Sequence, residues 1–233
     1  QLAAARRDRP GQPLLIGHGG GSFGHYWAER YATHRGIAGP ESWQGVVRVA
    51  DAMGRLHRAV LEALLEAELP AVGLQPMASA RASGGVLAEL AVAPIETLLA
   101  NGLIPVVYGD VALDDRQGCA IISTEALFSF LAPRLLPARI ILLGEAAVYD
   151  ADPRSNPAAR PLPRIDRANY AEVLAALGGS HGVDVTGGMR SKIEAMWRLA
   201  AATPGMEIVI CGPGELAAAL AGEQVARGTL VVS

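Results

Sequence analysis

Apolar residues fall into short runs separated by longer stretches in which they recur every three or four positions. The short runs, at residues 14–17, 71–75, 104–109, 139–144, 207–211 and 229–232, predict strands. The longer stretches predict helices over 42–68, 94–100, 124–131, 167–177, 188–201 and 215–220. In the longest of these, Val46, Val49, Met53, Leu56, Val60 and Leu64 share one face, the stripe of a helix laid on a core. Strand and helix alternate along the chain, which predicts an α/β fold, a three-layer αβα sandwich around a mostly parallel central sheet. Residues 150–163 hold four prolines and little periodicity, so they read as a surface excursion between two lobes. The chain opens at Gln1 in a helix-like run without an initiator methionine or signal-peptide pattern, and the expectation is that residues precede it.

None of the apolar stretches approaches the roughly 20 residues of a membrane span, so no membrane partner is expected. A net charge of −3 supplies no basic field for nucleic acid. Cys119 and Cys211 lie far apart without metal-ligand or disulfide spacing, and they read as small buried hydrophobes in a reducing cytoplasm. Among the cations there are 19 arginines and a single lysine, Lys192. A chain that uses arginine elsewhere has reason to keep one lysine where a compact point charge is needed.

The densest chemistry lies in Gly17-His-Gly-Gly-Gly-Ser-Phe-Gly-His25, where a strand runs into a loop of glycines. Glycines let backbone N–H groups approach an anion, and a following helix would add its positive end. Gly19-x-Gly21-x-x-Gly24 formally matches a dinucleotide fingerprint, but the ribose-binding acid expected about 20 residues on, at a strand end, is missing. Gly178-Gly-Ser180-His-Gly182 matches a hydrolase elbow, yet Ser180 follows a predicted helix and its only downstream histidine is its neighbour. A Walker A loop is excluded, since Ser191 precedes Lys192 where glycine is required. What remains is phosphoryl transfer of another design: in Asp184-Val-Thr-Gly-Gly-Met-Arg-Ser-Lys192 two glycines open a helix and the lysine falls on its first turn.

With Pro105-Val-Val-Tyr-Gly-Asp-Val111, Ile121-Ile-Ser-Thr-Glu125, Val148-Tyr-Asp-Ala-Asp-Pro153 and a closing Gly228-Thr-Leu-Val, these segments resemble the amino acid kinase superfamily, and within it the isopentenyl phosphate kinases. They occur in family order over nearly the whole chain, and the histidine that ends Gly-Gly-Gly-Ser-Phe-Gly-His25 is their most specific sign. The resemblance implies an amino acid kinase-like fold, with an acceptor lobe over about 1–135 and an ATP lobe over about 136–233. It implies ATP and Mg²⁺ as cofactors, a small phosphorylated acceptor (isopentenyl phosphate), and a homodimer. By position it implies that Gly20, Gly21, His25 and Thr124 touch the acceptor. Gly21, Glu145, Asp150, Gly188 and Lys192 would lie at the nucleotide, and His25, Lys192 and Glu125 would act in catalysis, with no metal ligand assigned to the protein. Val46, Val49, Ala50 and Met53 are open to two readings, as an apolar wall for the acceptor's tail or as plain core. The family's first strand carries a Lys-x-Gly-Gly-Ser segment, which these 233 residues do not contain; it is expected upstream. Glu125 stands where the family usually has Asp, and alanines replace an Asp-Gly pair before Val148. A kinase of another phosphate or phosphonate, such as fosfomycin, and a non-catalytic nucleotide sensor are the competing readings.

Overall fold

The computed structural model describes residues 1–144, 146–151, 153, 156–177 and 188–233. In chain order they form α1 (Leu2–Asp8), β1 (Ile16–His18), α2 (Gly21–Arg30), α3 (Ser42–Glu66), β2 (Ala71–Gly73), β3 (Arg81–Ser83), β4 (Val86–Glu89), α4 (Ala93–Ala100), β5 (Ile104–Tyr108), β6 (Asp110–Asp114), β7 (Gly118–Ile122) and α5 (Thr124–Leu135). There follow β8 (Arg139–Leu143), β9 (Val148–Tyr149), β10 (Pro161–Leu162), β11 (Arg164–Ile165), α6 (Tyr170–Leu177), α7 (Gly188–Ala202), β12 (Glu207–Cys211), α8 (Leu216–Ala221) and β13 (Gly228–Val231). They divide into two compact units, Pro10–Leu131 and Gln1–Arg9 with Ala132–Ser233. The first helix therefore folds with the second half of the chain, packing on α8.

In the unit Pro10–Leu131, β5 lies between β1 and β2 and is parallel to both. Its five residues are all buried, which is why they read as an unbroken apolar run. The register sets Ile16, Gly17 and His18 beside Val106, Val107 and Tyr108. Through Gly109 alone the chain passes from β5 into β6, the start of a second sheet ordered β4-β3-β6-β7. The apolar stripe of α3 is core: Val46, Val49 and Met53 pack with Ala28, Tyr108, Val111 and Cys119, and Ala50 lies partly buried against them. Of the two readings of that stripe, packing is the one observed.

In the other unit the strand order is β11-β13-β12-β8, with β8 and β12 parallel. Their first register pair, Arg139 and Glu207, forms an ion pair. The same guanidinium donates to the carbonyls of Ala219, Gly222 and Glu223 at 2.9, 3.1 and 3.1 Å, closing the C-terminal end of α8. Tyr170 of α6 stacks on Trp197 of α7 at 4.2 Å. Both units alternate helix with parallel strand pairs as expected. The sheets are parallel-rich, with antiparallel pairs at β3–β4, β6–β7 and β12–β13. The proline-rich excursion is closed at its base by the antiparallel pair β9–β10. No helix among the described residues is long and apolar enough to cross a membrane.

Candidate active site

The glycine loop joins β1 to α2 at the carboxyl end of a parallel strand pair, where open α/β sheets place their ligands. Its glycines serve different needs. A Cβ on Gly20 would meet Met53 Sδ at 2.8 Å and one on Gly24 would meet it at 2.9 Å, so the α3 stripe is seated directly under the loop. A Cβ on Gly17 would meet Thr124 Cγ2 at 2.6 Å and Phe128 Cζ at 2.7 Å. Gly21 has φ +48°, a left-handed conformation that favours glycine, and nothing lies within 4 Å of where its Cβ would be. The loop is thus clamped at Gly17, Gly20 and Gly24 and left open at Gly19 and Gly21, as close approach by an anion requires.

Thr124 holds the strand end in place. Its hydroxyl donates to the His18 carbonyl at 2.6 Å and accepts the Gly109 N–H at 3.0 Å, while that N–H also reaches the His18 carbonyl at 3.1 Å. Ser123 Oγ accepts the Ala126 N–H at 3.1 Å and caps α5, on whose first turn Glu125 sits, half-buried. His25 lies one turn into α2 and is exposed. Gly20, Gly21, His25, Thr124 and Glu125 therefore all belong to one unit.

The residues expected on the nucleotide side belong to the other unit. Gly188 opens α7, with Lys192 half-buried one turn later. Asp150 Oδ1 accepts the Arg160 N–H at 2.7 Å, and its own N–H donates to the Arg160 carbonyl, so it pins the mouth of the proline-rich loop. Glu145 and the Asp184-Val-Thr-Gly187 part of the lysine motif lie outside the described residues.

One cluster escaped sequence reasoning. His18 Nε2 lies 3.0 Å from His57 Nδ1, and the His18 ring stacks on Tyr108 while the His57 ring packs against it at a tilt; close by, β6 begins at the buried Asp110. Burial, reinforced by the charge of His18, brings His57 down to about 4, and burial also lowers His18. Burial pushes Asp110 up to about 6 despite the nearby N–H groups of Val111 and Met77 and the Tyr108 hydroxyl. The Tyr108 phenol is raised by burial and by that carboxylate. The signal was present in the periodicity, because His57 stands four residues beyond Met53 on the buried face of α3. His34, by contrast, only meets the Ala28 carbonyl, at 3.2 Å. Cys119 and Cys211 are both free and fully buried.

Residues 1–212 match the sequence profile of the Amino acid kinase family. The chain belongs to the amino acid kinase family. Within that family it is 37% identical over 226 residues to the isopentenyl phosphate kinase of Methanothermobacter thermautotrophicus, a match covering 94% of this chain and 84% of that protein. The isopentenyl phosphate kinase of Haloferax volcanii is 36% identical over 206 residues, covering 86% and 77%. Among solved structures of the amino acid kinase fold, an isopentenyl phosphate kinase superposes with a TM-score of 0.82 at 32% identity, covering 99% of this chain and 88% of the other.

Proposed function

We propose that this amino acid kinase transfers the γ-phosphoryl group of ATP to the phosphate of isopentenyl phosphate, giving isopentenyl diphosphate and ADP. The observation that carries the reading is the glycine loop, clamped from beneath by Met53 and Thr124 and open at Gly19 and Gly21. The similarity to curated isopentenyl phosphate kinases over nearly the whole chain supports the choice of acceptor.

In this reading the N–H groups of Gly20 and Gly21, with His25, hold the acceptor phosphate, and Thr124 fixes the loop that presents them. His25 donates a hydrogen bond and offsets charge as two polyanions meet. Gly188 and Lys192 bind the donor phosphates at the opening of α7, and Glu125 orients the cationic groups. Glu145 and Asp150 belong to the nucleotide side, Asp150 through the loop it pins. Mg²⁺ comes to the site on the phosphates of ATP, as part of the substrate. The described residues include no group of three or more His, Cys, Asp or Glu placed to hold it alone. The two lobes divide the work, acceptor in the first and ATP in the second. Two buried free thiols and consumption of ATP suit the cytoplasm. A homodimer is part of the reading, favoured by the exposed apolar side chains Phe23, Tyr26, Trp43 and Val47 on α2 and α3.

Single-turnover transfer from labelled ATP, with isopentenyl phosphate, fosfomycin or no acceptor, tests the assignment. Isopentenyl diphosphate is expected, and His25→Ala should lower its rate about a hundredfold or more while ATP binding persists. Preference for fosfomycin, or ATP binding without transfer to any acceptor, would overturn it.

A further inference from the structure

The glycine loop is preceded by an imidazole pair whose hydrogens the geometry assigns. His18 Nδ1 lies 3.1 Å from the Gly19 carbonyl, which accepts and never donates, so Nδ1 carries the hydrogen. In the neutral ring Nε2 is then an acceptor, and its partner at 3.0 Å, His57 Nδ1, must be the donor. That leaves His57 Nε2 bare, and this buried atom has no hydrogen-bond partner, packed instead over Gly73 where a Cβ would collide with it. Both rings lie against Tyr108, with centroids 5.4 Å from His18 and 4.3 Å from His57.

The direction of the chain is thus His57 Nδ1–H to His18 Nε2, then His18 Nδ1–H to the Gly19 carbonyl. A trans peptide points its carbonyl and its N–H to opposite sides. Holding the Gly19 carbonyl towards His18 therefore turns the Gly20 N–H the other way. Neither ring can gain a proton without loss. On His18 it would set two N–H groups face to face, and on His57 it would leave a buried charged donor with no acceptor. The lowered proton affinity of both rings keeps the pair neutral near pH 7, as the relay needs.

We propose that His57 is a positioning residue, which acts through His18 to fix the Gly19–Gly20 peptide and so aim the Gly20 N–H at the phosphate of the acceptor. The proposal rests on the acceptor-site reading above, and its test separates the two. In the full chain, His57→Leu removes the donor at similar volume, whereas His57→Asn restores a donor near the Nδ1 position. His57→Leu should raise KM for isopentenyl phosphate about tenfold with KM for ATP unchanged, the scale of one lost hydrogen-bond contribution. His57→Asn should return KM to within about threefold of the parent.

An unchanged acceptor KM in a folded His57→Leu protein, or equal impairment in both variants, would overturn the proposal. So would a general loss affecting both substrates equally. Should His57→Leu not fold, imidazole ¹⁵N–¹H correlation spectra of the unmodified protein decide, with both rings expected in the Nδ1–H form and a Nε2–H His18 overturning the relay. Should the parent protein not turn over isopentenyl phosphate, the functional reading fails by itself. The relay is then read from the Gly20 amide resonance titrated with inorganic phosphate, expected to shift in the parent and in His57→Asn; no shift in either would overturn it.

Discussion

Strand β6 carries an aspartate at each end, and the two live in opposite conditions. Asp114 Oδ1 accepts the N–H groups of Gly84, Arg116 and Gln117 at 3.1, 2.8 and 3.0 Å, and Oδ2 accepts that of Gly85 at 2.7 Å. One carboxylate thereby ties the β3–β4 turn to the β6–β7 turn. Although burial works against the charge, those four N–H groups hold Asp114 down at about 2. Asp110 is more deeply buried, and only its Oδ1 has a well-formed bond, from the Val111 N–H at 2.8 Å, while Oδ2 has none. It rises to about 6. The end far from the glycine loop is fully satisfied and serves stability, while the end beside Tyr108, His18 and His57 keeps a polar atom in deficit, a pattern common where a site is held ready for a ligand.

The contrast can be broken most forcefully at Asp114. Asp114→Ala should cost about 3 kcal/mol in urea unfolding, because four turn N–H groups lose their acceptor together. Its folded proton affinity lies below the ordinary carboxylate value, so its contribution is present above pH 4 and lost as pH falls through 2. The acid limb of the stability curve should accordingly flatten in the variant. A smaller effect is expected at the loop end: Thr124→Val, which removes the hydroxyl between the His18 carbonyl and the Gly109 N–H, should cost about 1.5 kcal/mol by the same measurement. The smallest change has the opposite sign. Folded Asp110 holds a proton that the unfolded chain releases, so the protein loses stability as pH rises from 4 through 6. Asp110→Asn should therefore gain about 1 kcal/mol at pH 8, with the gain gone at pH 4. A loss at pH 8 would show that the charge is needed and would dissolve the contrast.

The β6 region also marks where the sequence was legible and where it was not. The long apolar runs at 104–109, 139–144 and 207–211 announce buried parallel strands, and β5, β8 and β12 are there. β6 was not anticipated, because its apolar centre is short and bracketed by Asp110 and Asp114, residues that alone signal turns. What makes it a strand is pairing with β7 and β3, a tertiary cause. Similarly, α6 begins at Tyr170 and not at 167, since Asp166 and Asn169 close a turn on their own backbone: the Ala168 N–H donates to Asp166 Oδ1 and the Asp166 N–H to Asn169 Oδ1. That a glycine loop follows the first strand was readable from residue type alone. That Gly17 and Gly20 owe their identity to Thr124 and Met53, and that His57 reaches the loop at all, depends on α3 and α5 crossing it, which periodicity does not encode.

The pairing of α1 with α8 bears on the order in which the molecule can be made. Residues 10–131 form a unit from one continuous stretch, so it can complete its core as soon as that stretch has left the ribosome. The other unit is discontinuous: residues 1–9 are made before the first unit and must wait for a partner helix more than 200 residues later. During that wait α1, too short to be stable alone, remains uncovered. Closing so long a chain segment makes its docking a late event, placing completion of the discontinuous unit after that of the glycine-loop unit.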